Sequence, residues 1–327
     1  MFLFEKNGVC IDSGKQIFVD AFGLRDSSVL ISHAHSDHFR LSESNTYFMT
    51  EQTFALADSK KKPEVKLVPF GKKFDVEGFE VSMHPSGHIL GSSQFKVCNG
   101  MEAVVTSDFK LQKSLLFEPA EILPCDTLLI ESTFGLPEFS FPSREKVYDD
   151  MKKWAEQKLA EKSFVVFGGY ATGKAQELTK FCNEFLGIVP LVHKKVFEKN
   201  TLAEKAGLKL GRFIGLDHNM SESQVLILPP QLINSFMVEA LSMQLSKKVE
   251  AAIATGWKRF SGFKTFPLSD HADYGQLMQY VKESNPKMVL THHGFDVEFA
   301  AAVSRELKIP AKALRNASQK TLSECFN

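Results

Sequence analysis

Ser32-His33-Ala34-His35-Ser36-Asp37-His38, directly after the apolar run Val29-Leu30-Ile31, is the stretch on which the reading of this chain turns. A short β-branched apolar run reads as a buried strand, so the polar residues that follow stand on the loop at its end. In an extended loop His33 and His35 point to the same side, and Asp37 and His38 follow one turn later. That spacing can feed two adjacent metal ions, with His33 and His35 on one and Asp37 and His38 on the other. Imidazole with carboxylate suits zinc first, with manganese or iron as alternatives. The bland alternative is a polar loop with chance histidines. Four ligand-type residues in six positions weigh heavily against it.

H-x-H-x-D-H after a buried strand resembles the signature of the metallo-β-lactamase fold. The resemblance implies an α/β αββα sandwich in which this motif carries a hydrolytic metal site. It also implies that Asp20, which ends the apolar run Ile17-Phe18-Val19, buttresses the histidine loop from behind. A plain turn aspartate is the competing reading there.

Composition narrows the class without choosing the chemistry. The 327 residues suffice for one large domain or two ordinary ones, and 43% hydrophobic with 24% charged residues is the balance of a soluble globular protein. Formal net charge is zero, so any basic surface for nucleic acid must be local. Cys10, Cys98, Cys125, Cys182 and Cys325 are scattered and form no C-x-x-C pair, which points to reduced thiols in a cytosolic protein. Glu5 and Lys6 interrupt the apolar start, so no signal-peptide core is expected, and no apolar run approaches membrane-spanning length. The expected location is cytoplasmic, with no membrane partner.

Taken in order, residues 9–20 read as a hairpin, 51–60 as a helix closed by the basic run Lys60-Lys61-Lys62, and 66–70 and 79–84 as strands. The second of these leads into Pro85-Ser86-Gly87-His88, where small residues let backbone and ligand approach closely; His88 is expected as the third ligand of the first metal. His84, at the strand end, is expected to be structural. Ala103-Val104-Val105-Thr106-Ser107-Asp108 is a buried strand ending in a carboxylate, and Asp108 is the natural bridge for two ions about 3.5–4 Å apart. A further buried strand ends in Glu131. From about 142 the character changes: a charged amphipathic helix over 143–162 precedes a strand and then Gly168-Gly169-Tyr170-Ala171-Thr172-Gly173-Lys174-Ala175. This nearly matches the P-loop, but Ala175 stands where a magnesium-binding hydroxyl is needed, so no NTPase is read. A glycine-rich loop feeding a helix still suits an anion, which makes Gly173 and Lys174 candidate phosphate contacts. Trp257, Lys258 and Arg259 lie in a stretch that interleaves cations with aromatics, a pattern that can stack bases and pair phosphates. An ordinary amphipathic connection fits that stretch nearly as well.

Glu131, His271 in L-S-D-H-A-D and His293 before Gly294 come in an order that resembles the extra motifs of the β-CASP branch, the nucleic-acid-processing nucleases of the fold. RNase J, Artemis and the polyadenylation cleavage factor belong there. E-S-T-F-G-L-P from Glu131, G-K-A-Q from Gly173, Gly256-Trp257 and T-H-x-G from Thr291 are most similar to the prokaryotic ligase-associated exonuclease group. Of the adjacent His292 and His293, the second directly precedes glycine and is chosen. The resemblance implies a metallo-β-lactamase domain in two parts, 1–142 and 265–327, around an inserted β-CASP-like domain, 143–264.

It further implies two zinc ions, or manganese: one on His33, His35 and His88, the other on Asp37, His38 and His293, with Asp108 bridging. His271 becomes the general acid for the departing oxygen, and Glu131 orients it. The implied activity is phosphodiester hydrolysis on DNA or RNA, single strands favoured, by an exonuclease that leaves 5′-phosphates and serves repair or processing in association with a ligase or helicase. A small-molecule hydrolase of the lactamase, lactonase or thioesterase type is the alternative. It accounts for the metal loops but not for Glu131, His271 or the insertion.

Overall fold

The computed structural model describes residues 1–57, 62–216, 220–257 and 262–314, with Ser221 by its backbone alone. The chain divides into two compact units: Met1–Leu111 with Pro119–Ser140 and His271–Asn327, and Gln112–Glu118 with Phe141–Asp270.

The first unit is built on two sheets. One runs, edge to edge, through Phe2–Glu5, Val9–Asp12, Gln16–Val19, Ser28–Leu30, Thr46–Met49 and Glu64–Leu67. Its first pairings are antiparallel and its later ones parallel. The other runs through Ala311–Ala313, Met288–His292, Thr127–Glu131, Glu102–Val105, Ser93–Cys98, Phe79–Pro85 and Lys73–Val76. Successive side chains on a strand face opposite sides, and this sorts the apolar runs into layers. Ile11, Val19 and Leu30 from the first sheet meet Val81, Phe95, Val105, Leu129 and Leu290 from the second in one core. The intervening Val104, Leu128, Ile130 and Val289 pack instead with Leu277, Tyr280 and Val281 of the helix Tyr274–Ser284 and with Phe299 and Val303 of the helix Asp296–Glu306. Burial on both faces is why these strands read as continuous apolar runs rather than alternating ones. The outer face of the first sheet (Cys10, Phe18, Val29, Tyr47) is packed by Ala21, Leu24, Phe39 and Leu41 of the connecting loops.

The second unit holds a six-stranded, wholly parallel sheet in the order Ile214–Gly215, Leu191–Val192, Val225–Leu228, Phe164–Gly168, Val249–Ala254, Lys264–Phe266. Helices cover both faces. Val147 and Met151 of Arg144–Ala160 and Leu178 and Phe181 of Lys174–Phe181 pack with Val165 and Phe167, while Met237 and Leu241 of Ser235–Leu245 pack with Val166 and Ile253. Ser143 caps the first helix by accepting from the Lys146 amide.

The boundaries differ from those read in the sequence. Lys264–Phe266 pairs in parallel with Val249–Ala254, so the second unit runs on to Asp270, and the excursion 112–118 joins it. The helix expected over 51–60 ends at Leu56, and the basic run's Lys60 and Lys61 lie outside the described residues. Cys10, Cys98, Cys125 and Cys182 are free thiols; Cys325 is outside the described residues. Among the described residues no helix is long and apolar enough to cross a membrane.

Candidate metal centre

The histidine loop is held from behind by one aspartate. Asp20, itself in a left-handed backbone conformation (φ 49°), accepts from the Ser32 amide at 2.7 Å and from the Ser32 hydroxyl. It also accepts from the Ser107 hydroxyl at 3.3 Å and lies 2.9 Å from Nδ1 of His38. Ser32 Oγ in turn lies 2.8 Å from Nδ1 of His33. The loop closes on itself where the amides of His38 and Phe39 donate to the His35 carbonyl. Through these bonds Asp20 fixes the outward-facing nitrogens of two histidines on opposite sides of a single turn.

Four donor atoms converge where the loop meets two strand ends. His35 Nδ1 lies 3.1 Å from both His33 Nε2 and His88 Nε2. Asp108 Oδ2 lies 3.5 Å from His33 Nε2 and 3.6 Å from His88 Nε2. Metal–ligand arms of about 2.0–2.1 Å in a tetrahedron put ligand atoms roughly 3.3–3.4 Å apart, so these separations fit a zinc-sized ion. The same Asp108 oxygen is 3.6 Å from His38 Nε2, and His38, Asp108 and His293 form a second group able to hold an ion. Asp108 therefore belongs to both groups. Asp37 lies outside both; its carboxylate is 3.8 Å from His38 Nε2 and is largely exposed.

Electrostatics follow from this crowding. Burial, then the neighbouring imidazoles, push His33 well below its ordinary pKa, so it is neutral and ready to ligate. Burial opposes a charge on His38 too, but Asp108 and Asp20 outweigh it and raise the imidazole to about 10. Burial would raise Asp108, yet His38, His271 and the other imidazoles hold its carboxyl well below the usual range.

Asp108, Glu131 and His271 make a third group at the same place. Glu131 is 4% exposed at its strand end; it accepts from the Phe109 amide at 2.9 Å and sits 3.0 Å from His271 Nδ1. The His271 ring centroid stands 4.8 Å from that of His88.

His293 is placed by its neighbours. It has φ 65°, and Gly294 follows with φ 59°. A Cβ at Gly294 would come within 2.4 Å of the Ser132 carbonyl oxygen, so only glycine fits there. The Ser132 hydroxyl donates to the carbonyls of His292 at 3.1 Å and His293 at 2.6 Å. His292 enters none of the three-residue groups; its ring lies 3.9 Å from that of His293, and burial with the adjacent His293 lowers its pKa to about 3. A cavity of about 320 Å³ opens on the second group, lined among others by Asn7, Phe22, Asp37, His38, Asp108, Glu131 and His293. His84 bonds Ser82 and Glu121 away from these groups.

The groups expected to make phosphate contacts in the glycine-rich loop have partners within the second unit. Lys174 is 2% exposed, and its ammonium pairs with Asp270 at 2.8 Å and Glu177 at 3.3 Å. The Gly173 amide is taken by the Gln176 side chain at 2.6 Å. Both groups expected to meet a phosphate are engaged inside the second unit. Ala175 is wholly buried in the helix–sheet core, which accounts for the missing hydroxyl. Trp257 is half-buried with its amide on Thr255; Lys258 and Arg259 lie outside the described residues. Sequence reasoning missed Ser32, Ser107 and Ser132, although each directly adjoins a ligand or Glu131, and it missed the buried Arg144, which ion-pairs with Glu177.

No family model matches the chain. It is 32% identical over 304 residues to a probable DNA ligase of Opitutus terrae, across 88% of this chain and 29% of that one. It is 25% identical over 354 residues to the RNase aCSPSF2 of Saccharolobus solfataricus, across 84% of this chain and 70% of that one. The chain belongs to the β-CASP nuclease family. Like other members of the β-CASP family it is mixed α/β, and a crystal structure of a protein of unknown function from Enterococcus faecalis V583 has a similar fold. That likeness has a TM-score of 0.58 at 12% identity and covers 81% of this chain and 75% of that one. The chain spans 29%, 32% and 23% of the length of the first three relatives it matches.

Proposed function

We propose that this chain is a zinc-dependent nuclease that hydrolyses phosphodiester bonds of single-stranded DNA or RNA, on a metallo-β-lactamase sandwich interrupted by a β-CASP-like insertion. The observation that carries the reading is the Glu131–His271 pair, 3.0 Å apart and gathered with Asp108. Hydrolysis of a lactam or thioester by the histidine loop alone would leave this buried acid and its half-buried imidazole without a task. Relatives named as a probable DNA ligase and an RNase favour nucleic acid as the substrate without choosing its sugar.

In this reading His33, His35 and His88 would hold one ion and Asp37, His38 and His293 the other, with Asp108, which belongs to both groups, available to each. When bound, such ions lower the pKa of an attacking water and offset charge on the phosphate oxygens. Asp20 keeps the His38 ring in place through Nδ1, and the Ser132 hydroxyl secures the turn that carries His293. Glu131 fixes His271 through Nδ1, so the protonated ring hands a proton from Nε2 to the departing 3′ oxygen as its bond to phosphorus breaks. The phosphate stays on the 5′ side of the released strand. Exonucleolytic cutting and a working association with a ligase or helicase are part of the proposal, supported by the ligase relative.

Single-stranded DNA and RNA labelled at the 5′ end, the 3′ end or internally, incubated with the zinc- or manganese-loaded protein, test this. Mononucleotide release abolished by a chelator and by Asp37→Asn is expected, and the position of the label gives polarity. His271→Ala should lower single-turnover cleavage by roughly 10²–10⁴-fold with metal content unchanged. No cleavage by a protein that still binds two ions would hand the assignment to the small-molecule hydrolase.

A further inference from the structure

We propose that Phe22 is a stacking platform for the nucleobase of the nucleotide that keeps the cleaved phosphate, an inference that rests on the phosphodiesterase reading above. Phe22 is 38% exposed, yet it lines the cavity that also holds Asp37, His38, Asp108 and His293. An aromatic ring that stays this exposed while lining a cavity rich in ligand-type side chains is placed to meet what enters it. A cavity of about 320 Å³ admits a nucleotide-sized group.

The ring is held still. Its amide donates to the Asn7 carbonyl at 2.9 Å, and Gly8 presses on the preceding residue so closely that a Cβ there would meet the Ala21 Cα at 2.6 Å. Asp20, two residues earlier, is the carboxylate that steadies Ser32 and His38, so platform and histidine loop share one anchor. The Arg40 guanidinium lies over the ring, 4.6 Å from its centroid, and its Nε donates to the Ser36 carbonyl of the histidine loop. That cation orients the ring and adds a charge suited to a neighbouring phosphate. Stacking on an aromatic face accepts every base, as a nuclease without sequence preference needs.

The position along the strand follows from the acid. His271 groups with Asp108 and Glu131 and stands beside His88; Phe22 lines the cavity with His38 and His293, a cavity that Asp108 and Glu131 also line but His271 and His88 do not. Protonation of the departing oxygen by His271 places the leaving nucleoside on the His271 side. The nucleotide that retains the phosphate is the one directed to Phe22.

The test uses short single strands with one hydrolysable phosphodiester, the other linkages being phosphorothioate, either intact or abasic at the nucleotide 3′ of that bond. Zinc-loaded parent, Phe22→Ala and Phe22→Trp are compared. Phe22→Ala should raise KM roughly tenfold on the intact strand, moving kcat less, and Phe22→Trp should stay within about twofold of the parent. On the abasic strand the alanine variant should differ from the parent by about twofold at most. An unchanged KM on the intact strand, or an equal rise on both strands, overturns the inference while leaving the nuclease reading intact. A parent inactive on every strand overturns both.

Discussion

The loop 32–38 in the first unit and the loop 168–176 in the second make an instructive pair. Both follow a buried strand, both crowd polar groups against apolar walls, and both look in sequence like sites that await a ligand. In the second unit the charges close on themselves. Arg144 and Lys174 face Glu177 and Asp270, two cations against two carboxylates, with Tyr148 also bonded to Glu177. In the first unit Asp20, Asp108 and Glu131 take their ion pairs from imidazoles, beside hydrogen bonds from Ser32, Ser107 and the Phe109 amide, and the two aspartates raise the pKa of His38. A buried cluster whose fixed charges already balance needs no ligand; one whose carboxylates pair with imidazoles can take a cation. Burial alone does not tell the two apart.

The sharpest way to break this contrast is Asp108→Asn. Loss of the shared carboxylate should remove several kcal/mol of transition-state stabilisation, about 10⁴-fold in cleavage rate, and lower bound metal measured by elemental analysis. An active variant with full metal content would mean that Asp108 bridges nothing. Next comes Lys174→Met, which removes one of the two cations from this network and should cost about 3 kcal/mol in denaturant unfolding. If the variant unfolds like the parent but loses affinity for single strands, Lys174 is a substrate contact after all and the closed network is a misreading.

The smallest effect is in pH. The folded pKa of His38, about 10, lies above its ordinary 6.5. Its contribution to stability is therefore complete below pH 6.5 and is lost as pH rises through about 10. Asp108, held below 3.8, contributes above that value and loses its share as pH falls through its folded pKa. Chelator-treated protein should lose a few degrees of melting temperature between pH 6.5 and 10. The second unit's network gives no such window, because burial is overcome there by Glu177 and the Arg144 guanidinium stays charged throughout. A flat melting profile over that range would mean that folding does not raise the pKa of His38.

What could be read in the sequence was local. The histidine loop, the strand-end carboxylates and the helix cap at Ser143 each depend on a few consecutive residues, and the structure gathers His33, His35, His38, His88, Asp108 and His293 into two groups. Positions whose roles depend on distant partners could not be read. Lys174 follows the spacing of a phosphate-binding loop, but Asp270, its partner, lies 96 residues away. The end of the second unit was placed too early because the strand Lys264–Phe266 is short and joins its sheet only through pairing with Val249–Ala254. The serines around the centre carry no signal of their own; only the ligands beside them could have drawn attention to them.

One pairing carries a consequence for how the centre forms. Thr127–Glu131 and Met288–His292 are adjacent parallel strands in register from Thr127↔Met288 to Glu131↔His292, although Ser132 and His292 are 160 residues apart in the chain. Closing a flexible loop of that length costs about 4–5 kcal/mol of chain entropy, and that cost shrinks only if the intervening segment has already become compact. The parallel sheet of the second unit is assembled entirely from within that segment. The donors on either side of it, Glu131 and His293, therefore come together late in folding. A half-folded chain therefore holds the histidine loop without the rest of its centre, and under the proposed nuclease reading it is inactive until the second unit has folded.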